Sequence, residues 1–190
     1  MYISQKYKLL YVHANKCGGQ SVTKLLQSVI PDLLRISVKG QDSTHLPLSW
    51  IPKQYRKWKV LLVIRHPMQR WESLYCHRRF TYCVVNMGLD SRAIEARQEF
   101  NPWLTELIHK RLRKEDIFLS EYLDLELENL HIIKLENISI ELTTFLRSIG
   151  VKKFIDLPKI NTSHRVDIKW NDSLLELVKE KEAKIINQYY

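Results

Sequence analysis

Glycine is scarce in this chain, with 5 in 190 residues, and proline is nearly as rare at 6. Those counts exclude collagen-like and low-complexity chains. Cysteine is rarer still. Cys17, Cys76 and Cys83 are odd in number and show no metal-ligand spacing, which argues against a disulfide framework or a zinc site. Reduced, partly buried thiols in a reducing compartment are the expectation. No apolar run approaches the roughly 20 residues that span a bilayer. The N-terminus, Met1-Tyr-Ile-Ser-Gln-Lys6, is not a signal peptide, so a cytoplasmic location is expected. The N-x-[ST] sequons at Asn137, Asn161 and Asn171 then carry little weight. Acidic residues are also in deficit, 21 against 30 Lys and Arg, for a net charge of +9. That predicts anionic partners without choosing among nucleotide, nucleic acid, sulfated glycan and lipid.

What is present fits one folded domain over residues 1–190. A hydrophobic content of 45% at this length supports a proper core. Two of the few glycines stand together in the most informative stretch, Tyr11-Val-His-Ala-Asn-Lys-Cys-Gly-Gly-Gln-Ser21. An apolar run, Leu9 to Val12, breaks into a loop with Lys16, Gly18, Gly19 and Ser21. A helical pattern follows, with Val22, Leu25, Leu26 and Val29 on one face. Strand, glycine loop and helix together make a phosphate cradle, because backbone N–H groups and the helix N-terminus favour an anion. The lysine precedes the glycines, so the loop is not a Walker motif.

Strands and helices alternate along the chain, which predicts an α/β fold with a parallel sheet and helices on both faces. The first strand is expected over Lys8 to Val12 and the first helix over Gly19 to Val29. An extended segment, Leu33 to Val38, and a short helix, Leu48 to Trp58, come next. Lys59-Val-Leu-Leu-Val-Ile64 is continuously apolar, as a strand covered on both faces should be. Pro67 suits the first turn of a helix expected to reach Val84. Residues 88–114 read as an insertion over the sheet, with a helix from Pro102 to Arg113. A strand at His131 to Leu135, a helix from Ser139 to Ile149 and a single final helix from Asp172 to Tyr190 complete the pattern.

A second anion site is expected where the strand Lys59–Ile64 ends. Arg65 stands at the position of the ligand crevice of a doubly wound sheet. Ser73 lies two turns into the next helix, whose side chains lean toward its N-terminus. The two can converge on one anion.

Val12-His-Ala-Asn-Lys-Cys-Gly-Gly-Gln-Ser21 and Val63-Ile-Arg-His-Pro-Met-Gln-Arg-Trp-Glu-Ser-Leu-Tyr75 together resemble the two signature motifs of the carbohydrate sulfotransferases. That family transfers sulfuryl groups from 3′-phosphoadenosine-5′-phosphosulfate (PAPS) and has a P-loop-like fold: a single three-layer α/β domain with a central parallel β-sheet. The resemblance implies that Lys16, Cys17, Gly18, Gly19, Gln20 and Ser21 cradle the 5′-phosphosulfate. It implies that Arg65 and Ser73 hold the 3′-phosphate. Ile133-Lys-Leu-Glu136 resembles the family's strand ending in glutamate. Leu157-Pro-Lys-Ile-Asn-Thr-Ser163-His-Arg165 resembles its nucleotide-closing loop, with Ser163 and Arg165 as cofactor contacts. The chain departs from the pattern at Cys17 and Gln20, which replace threonines, at Asn15, which replaces proline, and at His66, which replaces an acidic or amide residue.

Sulfuryl transfer needs a base for the acceptor hydroxyl and positive charge for the departing phosphate. Lys16 is the expected charge and His45, in Ser43-Thr-His-Leu-Pro47, the expected base, as in the uronyl 2-O-sulfotransferases that the sequence resembles. His13 is expected to hydrogen-bond the loop, and His66 to be structural. Arg78, Arg79, Arg111, Arg113 and Lys114 are candidates for acceptor contact. Trp71, Trp103 and Trp170 are candidate stacking surfaces or, more simply, packing residues. No metal is required.

The expected partners are PAPS, its product adenosine 3′,5′-bisphosphate, and a hydroxyl acceptor of carbohydrate type. No specific nucleic acid is expected, and no membrane span. Three alternatives stand beside this reading. One is a nucleotide-binding relative that has lost turnover. Another is a phosphoryl transferase, against which the missing Gly-Lys-[ST] argues. The third, of a different class, is a basic polyanion or nucleic-acid binder.

Overall fold

The computed structural model describes residues 1–38, 40, 45–80, 98–110, 117–152 and 166–190. The chain is α/β, with an open mixed sheet of five strands and, among the described residues, seven α-helices. It divides into two compact units: residues 1–65 with 121–160, and residues 66–120 with 161–190.

The first unit holds the sheet, in the order β3-β1-β2-β4-β5. β2 (Leu9–Val12), β4 (Lys59–Ile64) and β5 (Leu130–Lys134) run parallel, with Leu10 opposite Val60 and Leu62 opposite Ile132. β1 (Tyr2–Ser4) and β3 (Leu34–Arg35) add an antiparallel edge, so the sheet is mixed rather than wholly parallel as the alternation predicts. β1 exists because the turn at Gln5–Lys8 folds the first residues back onto β2. Lys8 takes a left-handed φ of 46° to close that turn. Only Leu34 and Arg35 of the expected extended segment pair in the sheet.

β4 is continuously apolar because Val60 to Ile64 are all buried. Alternate residues of the parallel strands, Leu9, Tyr11, Leu61, Val63 and Ile133, form a core with α1 (Gly19–Val29) and α5 (Ile138–Ser148). Val22, Leu25, Leu26 and Val29 of α1 and Leu142, Phe145 and Leu146 of α5 supply its helical side. Both helices therefore lie on one face of the sheet. The segment Leu48 to Trp58 is not one helix. It forms two 3₁₀ turns, Leu48–Trp50 and Lys53–Tyr55, interrupted at Pro52, which has no N–H to continue the first.

The second unit is helical. α2 (Pro67–Phe80), α3 (Phe100–Lys110) and α6 (Asp172–Lys181) share a core built around Trp71, Tyr75, Phe100, Trp103, Leu174 and Val178. α2 is followed to Phe80; residues 88–97 and 111–114 of the expected insertion lie outside the described residues. In α4 (Leu119–Tyr122) the chain passes to the first unit.

The expected single C-terminal helix is two, α6 and α7 (Ala183–Tyr189). The break falls at Glu182, which is fully buried. Its carboxylate accepts the Leu119 N–H at 2.8 Å and the Ser120 N–H at 2.9 Å. A carboxylate drawn inside to cap another segment displaces the regular helical turn there. No helix among the described residues is long and apolar enough to cross a membrane.

Candidate functional site

The first unit carries the glycine loop at the C-terminal end of β2, where the chain turns into α1. Lys16 and Gly18 both take left-handed φ values, 62° and 71°. Gly18 is the residue before the helix, and its carbonyl accepts the Val22 N–H at 3.0 Å. Gly18 has no side chain with which to cap α1, and the first turn of the helix contains no acidic residue. A helix start in this condition favours an anion through its N–H groups and dipole.

Gly19 is required by close approach and Gly18 by its left-handed φ. A Cβ built on Gly19 would lie 1.4 Å from Nε2 of His13. One on Gly18 would lie 2.6 Å from the Cδ1 of Leu135, at the end of β5. The loop is thus seated on a histidine and a leucine with no space for side chains beneath. Its entry is held by the Tyr122 hydroxyl, which accepts the Asn15 N–H at 3.3 Å. Lys16, Gly18 and Ser21 are half-buried and Gln20 is exposed, whereas Cys17 is buried. The Cys17 thiol donates to the Asn15 carbonyl at 3.5 Å.

Two imidazoles lie beside the loop. His13 and His45 meet edge to face with ring centroids 4.7 Å apart. Nδ1 of His45 is 3.0 Å from the backbone carbonyl oxygen of His13. A carbonyl can only accept, so this bond assigns the proton to Nδ1 and leaves the lone pair of the neutral ring on Nε2. Nε2 is then the nitrogen of the ring able to take up a proton. His13 is buried, and its pKa is lowered to about 3 by burial first and by the neighbouring His45 second. It stays neutral, and its Nδ1 has no hydrogen-bond partner. The expected hydrogen bond from His13 to the loop is not seen at Nδ1; the ring instead packs against Gly19.

Arg65 follows β4 in the same unit and is half-buried. Lys16, Cys17, Gly18, Gly19, Gln20, Ser21, His45 and Arg65 therefore all belong to the first unit, and Lys16 to Ser21 and Arg65 follow adjacent parallel strands. Ser73 lies on α2 in the second unit, half-buried. Ser163 and Arg165 lie outside the described residues, as does Cys83.

Within the second unit, Arg78, Trp71 and Trp103 are buried packing residues, whereas Arg79 is exposed and Trp170 half-buried. Arg78 is buried with its guanidinium 5.6 Å from the Trp103 ring. Arg79 donates to the Tyr75 hydroxyl at 2.7 Å. Trp71 and Trp103 are buried core residues, and the Trp170 Nε1–H donates to Glu72 at 2.8 Å. His66 sits edge-on to Tyr190, in the structural role expected of it. Arg111, Arg113 and Lys114 lie outside the described residues. Among the described residues, no group of three or more His, Cys, Asp and Glu is arranged to hold a metal ion.

Sequence reasoning missed the pairing of His13 with His45 and the seating of Gly18 on Leu135. The only available signal was that Gly19 needs a neighbour where its side chain would be, and spacing alone does not name that neighbour. Comparison of the chain with protein-family models, with curated proteins and with solved structures returns no match.

Proposed function

We propose that the protein transfers a sulfuryl group from PAPS to a hydroxyl of a carbohydrate-type acceptor, on a P-loop-like version of its α/β fold. The observation that carries this reading is the start of α1 at Gly18, with no acidic residue in its first turn, entered through a tight glycine loop with Lys16 and with the His13–His45 pair beside it. The site residues fit a phosphate-bearing ligand by their chemistry: backbone donors at a helix N-terminus, one lysine, and Arg65 after the neighbouring strand. The sequence motifs assign the 5′-phosphosulfate to Lys16–Ser21 and the 3′-phosphate to Arg65 and Ser73.

In this reading the acceptor oxygen attacks sulfur as the bond from sulfur to the bridging phosphate oxygen breaks. The electron pair of that bond leaves with the adenosine bisphosphate. Lys16 stabilises the charge that develops on the leaving phosphate. The acceptor's proton passes to Nε2 of His45, and the His13 carbonyl steadies the imidazolium through the Nδ1–H. His13 itself, held neutral, adds no positive charge that would oppose protonation of His45.

A second reading is a relative that binds the nucleotide without turnover, and the placement of Cys17 favours it. A threonine hydroxyl at this position would be a strong donor, but the thiol is buried and committed to Asn15. The test is formation of adenosine bisphosphate from PAPS with a panel of desulfated glycans. Sulfotransfer predicts acceptor-dependent product in the wild type and a loss of about 10² to 10⁴ in rate for His45→Asn. Donor binding with no acceptor-dependent product would establish the second reading instead.

A further inference from the structure

The end of the sheet where β2 and β4 begin, opposite the phosphate loop, gathers cations that the proposed reaction does not use. The β1–β2 turn contributes Lys6 and Lys8, and Lys53-Gln-Tyr-Arg-Lys-Trp-Lys59 contributes Lys53, Arg56, Lys57 and Lys59. All five lysines are exposed. The two segments adjoin: the Lys59 N–H donates to the Lys8 carbonyl at 2.9 Å, and Lys8 Nζ lies 5.0 Å from the Trp58 ring centre. Among the described residues, none of the five ammonium groups is in an ion pair.

This edge is rigid where it matters. The Arg56 guanidinium donates to the carbonyls of Ile51 and Ser49, each at 3.1 Å. The Asn129 side chain donates to the Arg56 and Trp58 carbonyls. Lys8 occupies a left-handed backbone position that glycine or asparagine would fill at lower cost. The acidic neighbours are fewer. Asp32 is engaged by the Ser4 hydroxyl and the Lys6 N–H, and Glu126 and Glu128 lie on the approach to β5.

We propose that this basic edge binds a linear polyanionic polysaccharide. The aromatic residues decide among anionic partners. Tyr55 and Trp58 are half-buried, and the Trp58 ring is engaged by Lys8 and by Tyr55, whose centroid is 4.7 Å away. Tyr7, between Lys6 and Lys8, is likewise half-buried, packs on the core and has Lys6 Nζ 5.3 Å from its ring centre. Among the described residues of this edge, no exposed ring offers a stacking platform for nucleic-acid bases or a bilayer anchor. The charges are lysines, point charges on flexible stems that suit irregularly spaced sulfates and carboxylates. With neighbouring strands about 4.8 Å apart, the cations span roughly 10 Å across β1, β2 and β4, the scale of a few sugar units. The surface is argued from the first unit alone and does not rest on the donor site.

The test is titration of the full chain with a size-defined, fully sulfated heparin-type hexasaccharide over a range of salt concentrations. The variant Lys6→Gln/Lys53→Gln/Lys57→Gln/Lys59→Gln is compared with Lys169→Gln/Lys179→Gln/Lys181→Gln/Lys184→Gln, which removes the same charge from the second unit. We expect the first set to weaken binding by about tenfold or more with a shallower salt dependence, and the second to change it little. Saturation with adenosine 3′,5′-bisphosphate should leave this binding intact. Equal losses in both sets would reduce the effect to net charge and overturn the proposal. So would competition by the bisphosphate together with indifference to the first set. A single-stranded oligonucleotide of matched charge, or an anionic phosphatidylserine vesicle, binding as tightly as the hexasaccharide would also overturn it. Failure of the bisphosphate to bind the wild type would bear on the proposed reaction and not on this surface.

Discussion

His13 couples the loop to pH through a proton it does not take up. Its folded pKa of about 3 lies below the unfolded value of 6.5, so the unfolded chain binds the proton first as pH falls. The contribution to stability is therefore complete above about pH 6.5 and is lost progressively toward pH 3, at up to about 1.4 kcal/mol per pH unit. Urea unfolding at pH 6.5 and 5.0 should differ by about 1.5 kcal/mol or more in the wild type, and His13→Phe should remove most of that difference. A slope unchanged by the variant would assign it to other groups. Gly19 is the stricter position, because its Cβ would overlap the imidazole. Gly19→Ala should displace His13 and cost about 1–3 kcal/mol of stability, read in the same unfolding experiment, with donor binding lost alongside. The Gly18-Gly19 pair and Lys16 were legible in the sequence because glycine is otherwise so rare. Their seating on His13 and Leu135 was not, since it depends on strands far apart in sequence coming into register.

Among the elements, α6 and α7 show how a buried carboxylate edits a helix. Burial raises the pKa of Glu182, while Arg70 and the Leu119 and Ser120 N–H groups act to lower it. Arg70 is itself fully buried and donates to the Ile117 carbonyl at 2.8 Å. Removing the carboxylate leaves the buried Leu119 N–H and the Ser120 N–H without their acceptor, so Glu182→Ala should destabilise by about 1–3 kcal/mol. A cost under about 0.5 kcal/mol, measured by denaturant midpoint at constant m-value, would mean that this cap does not hold the fold. The start of α6 is governed by Asn171, whose side chain accepts from the N–H groups of Ser173 and Leu174. Asn171→Ala should cost about 1 kcal/mol, and Asn171→Asp should recover most of it. Element types followed from periodicity wherever the apolar pattern was long: α1 and β4 fall over the residues expected, Gly19–Val29 and Lys59–Ile64. β1, three residues long, is too short to show a period, and the break at Glu182 is invisible because glutamate favours helices.

For the whole molecule, the α/β class followed from the alternation of elements, while the mixed sheet did not, since the antiparallel edge comes from a turn that carries a lysine where glycine is usual. The excess of positive charge is distributed between two tasks in this account. Lys16 and Arg65 are proposed to serve the donor at one end of the parallel strands, and the lysine edge a chain-like polyanion at the other. The proposed sulfotransfer requires first that the protein bind the nucleotide. Calorimetric titration with adenosine 3′,5′-bisphosphate tests it most directly, with and without Mg²⁺, on the wild type and Arg65→Ala. Micromolar binding, roughly −8 kcal/mol, indifferent to metal and lost in the variant, is the expected result. Absence of binding at low salt, or binding that Arg65→Ala leaves unchanged, would contradict it.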